Sequence, residues 1–365
     1  EVYYVPFKQR KSYRFKTRPN FLAKKLGGLF HLWGYLFQYS FWNQPDGRLY
    51  SFAKEYLNNN RANFDSLTVT APPFIYLKMG YLLSNRFSLP WLADYRDEWN
   101  SEGSIFKKDP KRSRTLKLLD LLKVNDVKLE RKWTSNSSKI TTVSSNGASN
   151  LKCLLEKTNV YSVPNGFLTE DFVELKPKVV DKLTFTYAGT LHKTQEIEPF
   201  LDAVKISLSI NPDLPIQLLF IGLAQDLNRL QYIKKYLGEY GFVVSATKRV
   251  SKKESLEWQA GSHYLMLFRH KAIRDIPSSK LYEYAGLKRP VLHYPTDKGI
   301  MESTLKKTGQ FVEGLTSIDD LAEFIHRACE EYKTGRWKTC DVKYDEIKKL
   351  DRSSRAEEMA KIILD

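Results

Sequence analysis

From about residue 64 onward the chain alternates between short β-rich apolar runs and longer stretches whose apolar residues recur three and four apart. The first series of runs is 67–70, 91–93, 140–143 and 160–163. After Pro164-Asn165-Gly166 the rhythm restarts with runs at 183–187, 216–221, 242–245, 264–268 and 290–294. Between them lie helical stripes such as Ile197, Phe200, Leu201, Val204 and Leu208. Strands alternating with helices in this way predict βαβ units, parallel sheets and an α/β fold. The second series is long enough for one Rossmann-like domain, and the first reads as another. The stretch 168–182 carries charge and a proline but little periodicity, and so reads as the boundary. The predicted division is residues 1–170, 171–343 and a closing amphipathic helix over 344–365, with Ile347, Leu350, Met359, Ile362 and Ile363 along one side.

Length supports two domains, because 365 residues exceed the roughly 250–300 at which one hydrophobic core stops growing. A 42% hydrophobic share with 13% aromatic residues excludes a disordered charged tail. The formal net charge is +16, from 58 Lys and Arg against 42 Asp and Glu. It is unevenly spread: residues 1–172 carry +12 and the remainder +4, so the first half is expected to meet something anionic. Three cysteines, Cys153, Cys329 and Cys340, show no metal-ligand spacing and fit a reducing compartment. The chain opens on a strand-like run, Val2 to Val5, and no cleavable signal peptide is evident. It is read as a fragment whose first strand is missing. The longest apolar stretch, residues 26–42, is broken by Gly27, Gly28, His31 and Gln38 and falls short of the roughly 20 residues of a membrane-spanning helix.

Three stretches carry candidate chemistry. In Asp275-Ile276-Pro277-Ser278-Ser279-Lys280-Leu281-Tyr282-Glu283, the proline and serines are helix-start signals. A helix N-terminus offers free N–H groups and a positive dipole end to a phosphate, and Lys280 adds a full charge there. Glu283 lies one turn on, where a carboxylate accepts hydrogen bonds from a ribose diol. The bland alternative is a capped surface helix with an ordinary Lys–Glu pair. In Tyr187-Ala188-Gly189-Thr190-Leu191-His192-Lys193, a strand ends at a glycine that lets a ligand approach the backbone. In Trp91-Leu92-Ala93-Asp94-Tyr95-Arg96-Asp97-Glu98, three acids and an arginine follow an apolar strand and are expected to gather at its carboxyl end. Local ion pairs in a solvated loop are the alternative there. His263, His270, His293 and His326 show no metal-ligand spacing and read as structural or solvated.

Taken in order, these pieces resemble the GT-B glycosyltransferases of family 4, especially bacterial enzymes that build surface polysaccharides. The resemblance extends from about Asp65 to the C-terminus. It includes residues 64–73, the LPWLADYRDEW stretch, Ile140 to Ser144, Val163-Pro164-Asn165-Gly166-Phe167, the YAGTL run, Phe220-Ile221-Gly222 and PSSKLYEYAGLKRPVL. It implies two Rossmann-like domains facing a cleft, with the last helix crossing back to the first. It also implies a retaining transfer from a nucleotide sugar, UDP-linked by family prevalence. In the family a pair of carboxylates eight positions apart contacts the donor. Glu283 matches the second, on the ribose, and Asp275 stands where the first is usually Glu. Lys280 matches the base that neutralises the diphosphate. Gly189 and Thr190 match the loop after the first strand, and Lys193 is its basic partner. Arg96 stands where many relatives have His. Arginine stays protonated and is no base. The resemblance therefore implies that the leaving diphosphate takes the acceptor proton, with Arg96 orienting an acceptor or a phosphate and Asp97 ordering the loop.

No Asp-x-Asp occurs, so no metal and no other cofactor is expected. Residues 8–25 hold eight Lys and Arg and no acid, followed by aromatic-rich positions from Phe21 to Trp42. This pattern suits an anionic membrane surface and a lipid-linked or saccharide acceptor, at the inner face of the cytoplasmic membrane. No RNA- or DNA-binding signature accompanies the charge. The rival readings are a nucleotide-sugar epimerase or hydrolase of the same fold, and a non-catalytic membrane binder.

Overall fold

A computed structural model describes residues 46–101, 104, 120–271 and 277–365. The chain forms two compact units, one holding the residues up to Ser162 together with Ile362–Asp365, the other Val163–Lys361.

In the first unit the described elements run α1 (Asp46–Asn60), β1 (Leu67–Ala71), α2 (Ile75–Phe87), β2 (Trp91–Tyr95), α3 (Asp120–Thr134), β3 (Lys139–Thr142), α4 (Ser145–Leu155) and β4 (Val160–Ser162). The four strands are parallel and lie in the order β1-β2-β3-β4. Every residue of β2 is buried, which is why it reads as an unbroken apolar run in the sequence. Trp91 is fully buried under α2, and a Cβ on Gly80 would overlap its ring.

The second unit continues with β5 (Leu183–Ala188), α5 (Glu198–Ile210), β6 (Ile216–Ile221), α6 (Leu227–Leu237), β7 (Val244–Ala246), α7 (Lys252–Gly261), β8 (Tyr264–Leu267), α8 (Ser279–Leu287) and β9 (Val291–His293). The helices α9 (Ile300–Thr308), α10 (Ile318–Lys333) and α11 (Tyr344–Lys348) follow, and α12 (Arg352–Leu364) belongs to this unit as far as Lys361. Its five strands are all parallel, in the order β7-β6-β5-β8-β9. Alternate residues of each strand serve opposite faces. Phe185, Tyr187, Leu218 and Phe220 pack with Phe200, Val204 and Leu208 of α5 and Ile325 of α10. Leu265 and Leu267 pack with Leu256 of α7 and Leu281 and Tyr284 of α8 on the other face. The stripe expected at Phe200, Leu201, Val204 and Leu208 is the buried face of α5.

Three details depart from the sequence reading. Phe242 lies in a 3-10 turn, Gly238–Val243, and is 64% exposed, so β7 starts only at Val244. The stretch 168–182 belongs to the second unit, whose first residue is Val163. There the Phe167 N–H donates to Leu350 O (3.1 Å), the Arg352 N–H donates to Phe167 O (2.8 Å), and Phe172 covers Gly286. A Cβ on Gly166 would run into the backbone of residues 350–352, so the Pro-Asn-Gly-Phe motif seats this passing chain. The closing segment is accordingly two helices. The chain is drawn off helical geometry at Asp351, whose Oδ1 accepts the Ser353 N–H (2.7 Å) to start α12 and whose Oδ2 accepts the Thr169 hydroxyl (2.6 Å).

Candidate functional site

In the second unit the chain leaves β5 toward β6 on one side and later returns to β8 on the other. The carboxyl ends of β5 and β8 are therefore the switch point of the sheet, where open α/β sheets leave a crevice for a ligand. The loops that follow these strands are joined by their backbones. The Glu196 N–H donates to Arg269 O (3.0 Å) and the Lys271 N–H to Thr194 O (2.8 Å). Buried Gln195 shapes the first loop: its Oε1 accepts the His192 N–H (2.9 Å) and the Tyr187 hydroxyl (3.0 Å), and its Nε2 donates to Phe268 O (3.3 Å).

Gly189 begins that loop with φ of +93°, a conformation costly for any residue with a Cβ. Lys280 folds over it. A Cβ placed on Gly189 would lie 3.7 Å from the Lys280 Nζ, and that Nζ stands 4.9 Å from the centre of the Tyr187 ring. Lys280 is in the first turn of α8, whose N-cap is Ser278. An ammonium group, a helix N-terminus and a glycine backbone thus converge at one end of the sheet, an arrangement suited to a diphosphate.

Glu283 sits one turn further along α8. It forms no ion pair with Lys280 among the described residues; instead its Oε1 accepts a hydrogen bond from Gln259 Nε2 at 3.0 Å. The ordinary Lys–Glu surface pair is therefore not what the helix presents. The carboxylate is half-buried, and the ammonium is turned toward the β5 loop.

The structure brings together Gly189 and Lys280, with Glu283 on the same helix. Thr190 is exposed, and its carbonyl lies 3.0 Å from the Tyr187 hydroxyl. Lys193 stands exposed on the loop and makes no hydrogen bond or ion pair among the described residues, so it takes no part in this arrangement. Asp275 lies outside the described residues. His270, which its spacing set aside, is at the site beside His192 of the β5 loop. The His192 and His270 rings are 6.0 Å apart, and His270 Nδ1 is 2.8 Å from the Thr194 hydroxyl. Burial, then His192 and Lys280, push the His270 pKa below the usual imidazole range, so it is neutral at neutral pH. Its position directly after the β8 run was the available signal.

In the first unit the acids after β2 do not gather as expected. Asp94 turns into the sheet, where burial requires that its charge be fully bonded. It accepts from Thr70 Oγ1 (3.1 Å), Thr141 Oγ1 (2.8 Å) and Arg96 Nε (2.8 Å), tying three strand ends together. Glu98 turns away toward α4, accepting from Asn150 Nδ2 (3.1 Å) and Ser101. Asp97 remains half-buried, and desolvation raises its pKa above the ordinary carboxylate value. Arg96 is held in the plane of the strand ends by Asp94 and by its own N–H, which donates to Ala71 O (2.8 Å).

Among the described residues no group of three or more His, Cys, Asp or Glu side chains is placed to hold a metal ion. No described helix is long and apolar enough to cross a membrane. Residues 8–25 and 26–42 lie outside the described residues.

No family model matches the chain, and no curated protein matches it. Solved structures do. Sucrose-phosphate synthase from Thermosynechococcus elongatus superposes with a TM-score of 0.59 at 15% identity, over 87% of this chain and 77% of that one. The Anabaena protein HepE in complex with UDP gives 0.58 at 11% identity, over 85% and 80%. The chain has a GT-B fold. A UDP-forming α,α-trehalose-phosphate synthase from Burkholderia xenovorans, at 11% identity and a TM-score of 0.56, covers 96% of this chain and 81% of its own. At these identities the likeness extends to the GT-B architecture alone.

Proposed function

We propose that the chain is a retaining glycosyltransferase that takes a nucleotide sugar at the carboxyl ends of β5 and β8. The observation that carries this reading is the Lys280 ammonium folded over Gly189 at the sheet's switch point, with the Glu283 carboxylate one turn along the same helix. The diphosphate would lie against Gly189 and the N-terminus of α8 beneath Lys280, and the ribose diol would donate to Glu283. The UDP bound to HepE and the UDP-forming Burkholderia synthase favour UDP over other nucleotides.

In the reaction, the bond from the anomeric carbon to the diphosphate oxygen breaks and its electron pair stays on the diphosphate. An acceptor hydroxyl bonds to the anomeric carbon from the same face and passes its proton to the departing diphosphate. The protein's contribution is electrostatic: Lys280 and the helix N-terminus stabilise the charge that develops on the leaving group. Asp275, by the family resemblance, would touch the transferred sugar. Arg96, anchored by Asp94, would orient the acceptor or a phosphate, and Asp97 would order the loop. The basic stretch 8–25 supports a lipid-linked or saccharide acceptor at the inner face of the cytoplasmic membrane, in bacterial polysaccharide or lipopolysaccharide assembly.

A thermal-shift screen of UDP, GDP, ADP and dTDP tests the donor. The matching nucleotide at about a hundred times its Kd is expected to raise the unfolding midpoint by roughly 5 °C or more. Incubation of the corresponding nucleotide sugars then tests the reaction class. Release of the nucleoside diphosphate only when membrane lipid extract is added supports transfer. Turnover of the donor alone makes the protein a hydrolase or epimerase, and no midpoint shift with any nucleotide contradicts the reading.

A further inference from the structure

Gln259 is the most unusual polar side chain near the site. It is fully buried on α7, yet only half of its amide is used. Its Nε2 has three acceptors: Ser255 O (3.1 Å), Ser255 Oγ (3.0 Å) and Glu283 Oε1 (3.0 Å). Its Oε1 is buried and has no hydrogen-bond partner among the described residues. Exchanging the amide oxygen and nitrogen would set an oxygen against a carbonyl and a carboxylate, so the orientation is dictated by its neighbours. An unpaired buried acceptor destabilises a fold, and an apolar residue of similar size would avoid it. What the glutamine provides in return is one N–H aimed at the Glu283 carboxylate.

The base of this contact is rigid. Just beyond Gln259, the Ser262 hydroxyl donates to Trp258 O (2.7 Å) and lies 2.6 Å from Thr186 Oγ1, both residues being fully buried. That pair ties the end of α7 to β5, the strand that delivers Gly189. The helix that carries Gln259 is thereby fastened to β5, and from it the Gln259 amide reaches one oxygen of Glu283.

We propose that Gln259 is a positioning residue that fixes the Glu283 carboxylate for recognition of a donor ribose and thereby sets the preference for ribonucleotides over deoxyribonucleotides. This rests on the assignment of Glu283 to the ribose made above. By binding Oε1, the amide fixes the plane of the carboxylate, so that an incoming diol meets an acceptor already oriented for it.

The test is calorimetric titration of the full chain with UDP and with 2′-deoxy-UDP, in the unsubstituted protein, Gln259→Leu, Glu283→Ala and the double variant. Loss of an oriented hydrogen bond to a charged group predicts UDP binding about tenfold weaker in Gln259→Leu. Binding of 2′-deoxy-UDP should change little, so the preference between the two collapses. In the Glu283→Ala background the second substitution should have no further effect. The unfolding midpoint of unliganded Gln259→Leu should be unchanged or higher, whereas a merely structural role predicts a lower one. Ser255→Ala, which removes one of the acceptors orienting the amide, should give a smaller loss of preference and serves if Gln259→Leu does not fold. Equal weakening of both nucleotides, or an intact preference in Gln259→Leu, overturns the proposal while leaving Glu283 in place. An intact preference in Glu283→Ala overturns the ribose assignment and the proposal together.

Discussion

Replacing Glu283 with alanine is expected to abolish transfer and to weaken UDP binding by at least about a hundredfold, because hydrogen bonds to a charged group are worth about 1.5–3 kcal/mol each and a diol makes two. The geometry is what makes so large an effect expected. Among the described residues Glu283 has no cationic partner, and its one fixed contact, from Gln259, occupies a single oxygen. The carboxylate is half-buried on the short helix α8, so its removal leaves no core cavity and the fold should persist. Calorimetry with UDP and a transfer assay with the matching donor check this. Undiminished transfer in the variant would remove Glu283 from the site.

The second large effect is expected at Lys280. Lys280→Met keeps an unbranched apolar stem beside Gly189 and Tyr187 but removes the charge. Loss of the contact with the Tyr187 ring should cost folding only about 0.5–1 kcal/mol. Loss of the charge at a helix N-terminus should weaken UDP binding by about two orders of magnitude, since charge-assisted contacts to phosphate carry most of the binding there. Uridine, which has no phosphate, is the control. Its affinity should be nearly unchanged, and equal losses for UDP and uridine would show that Lys280 acts on something other than the diphosphate.

Much of the architecture was legible in the sequence because parallel strands buried on both faces are continuous apolar runs. β6 was read from Ile216 to Ile221, its observed bounds, since its alternate residues serve two cores. The pairing of Gly189 with Lys280 was also within reach, through a glycine after a strand and a lysine after helix-start residues. Other features were hidden for physical reasons. Asp94 and Glu98 are two acids in one charged loop as sequence, and only the neighbouring strand ends reveal that Asp94 is a buried tie between threonines and Arg96. Gln195 and Gln259 are ordinary polar positions as sequence, because a buried amide is recognised by its partners and each has one far along the chain, Phe268 at 73 residues and Glu283 at 24. The break between α11 and α12 depends on pairing with Phe167, a contact that no local periodicity encodes.

The central claim is that a nucleotide sugar binds at the carboxyl ends of β5 and β8, and hydrogen exchange of the full chain with and without saturating UDP tests it most directly. The account predicts slowed exchange in peptides covering the Gly189 loop and the first turns of α8, where free amides and Lys280 would meet the diphosphate. Unchanged exchange at both places, or protection confined to the strand ends of the first unit around Thr70 and Arg96, would contradict it.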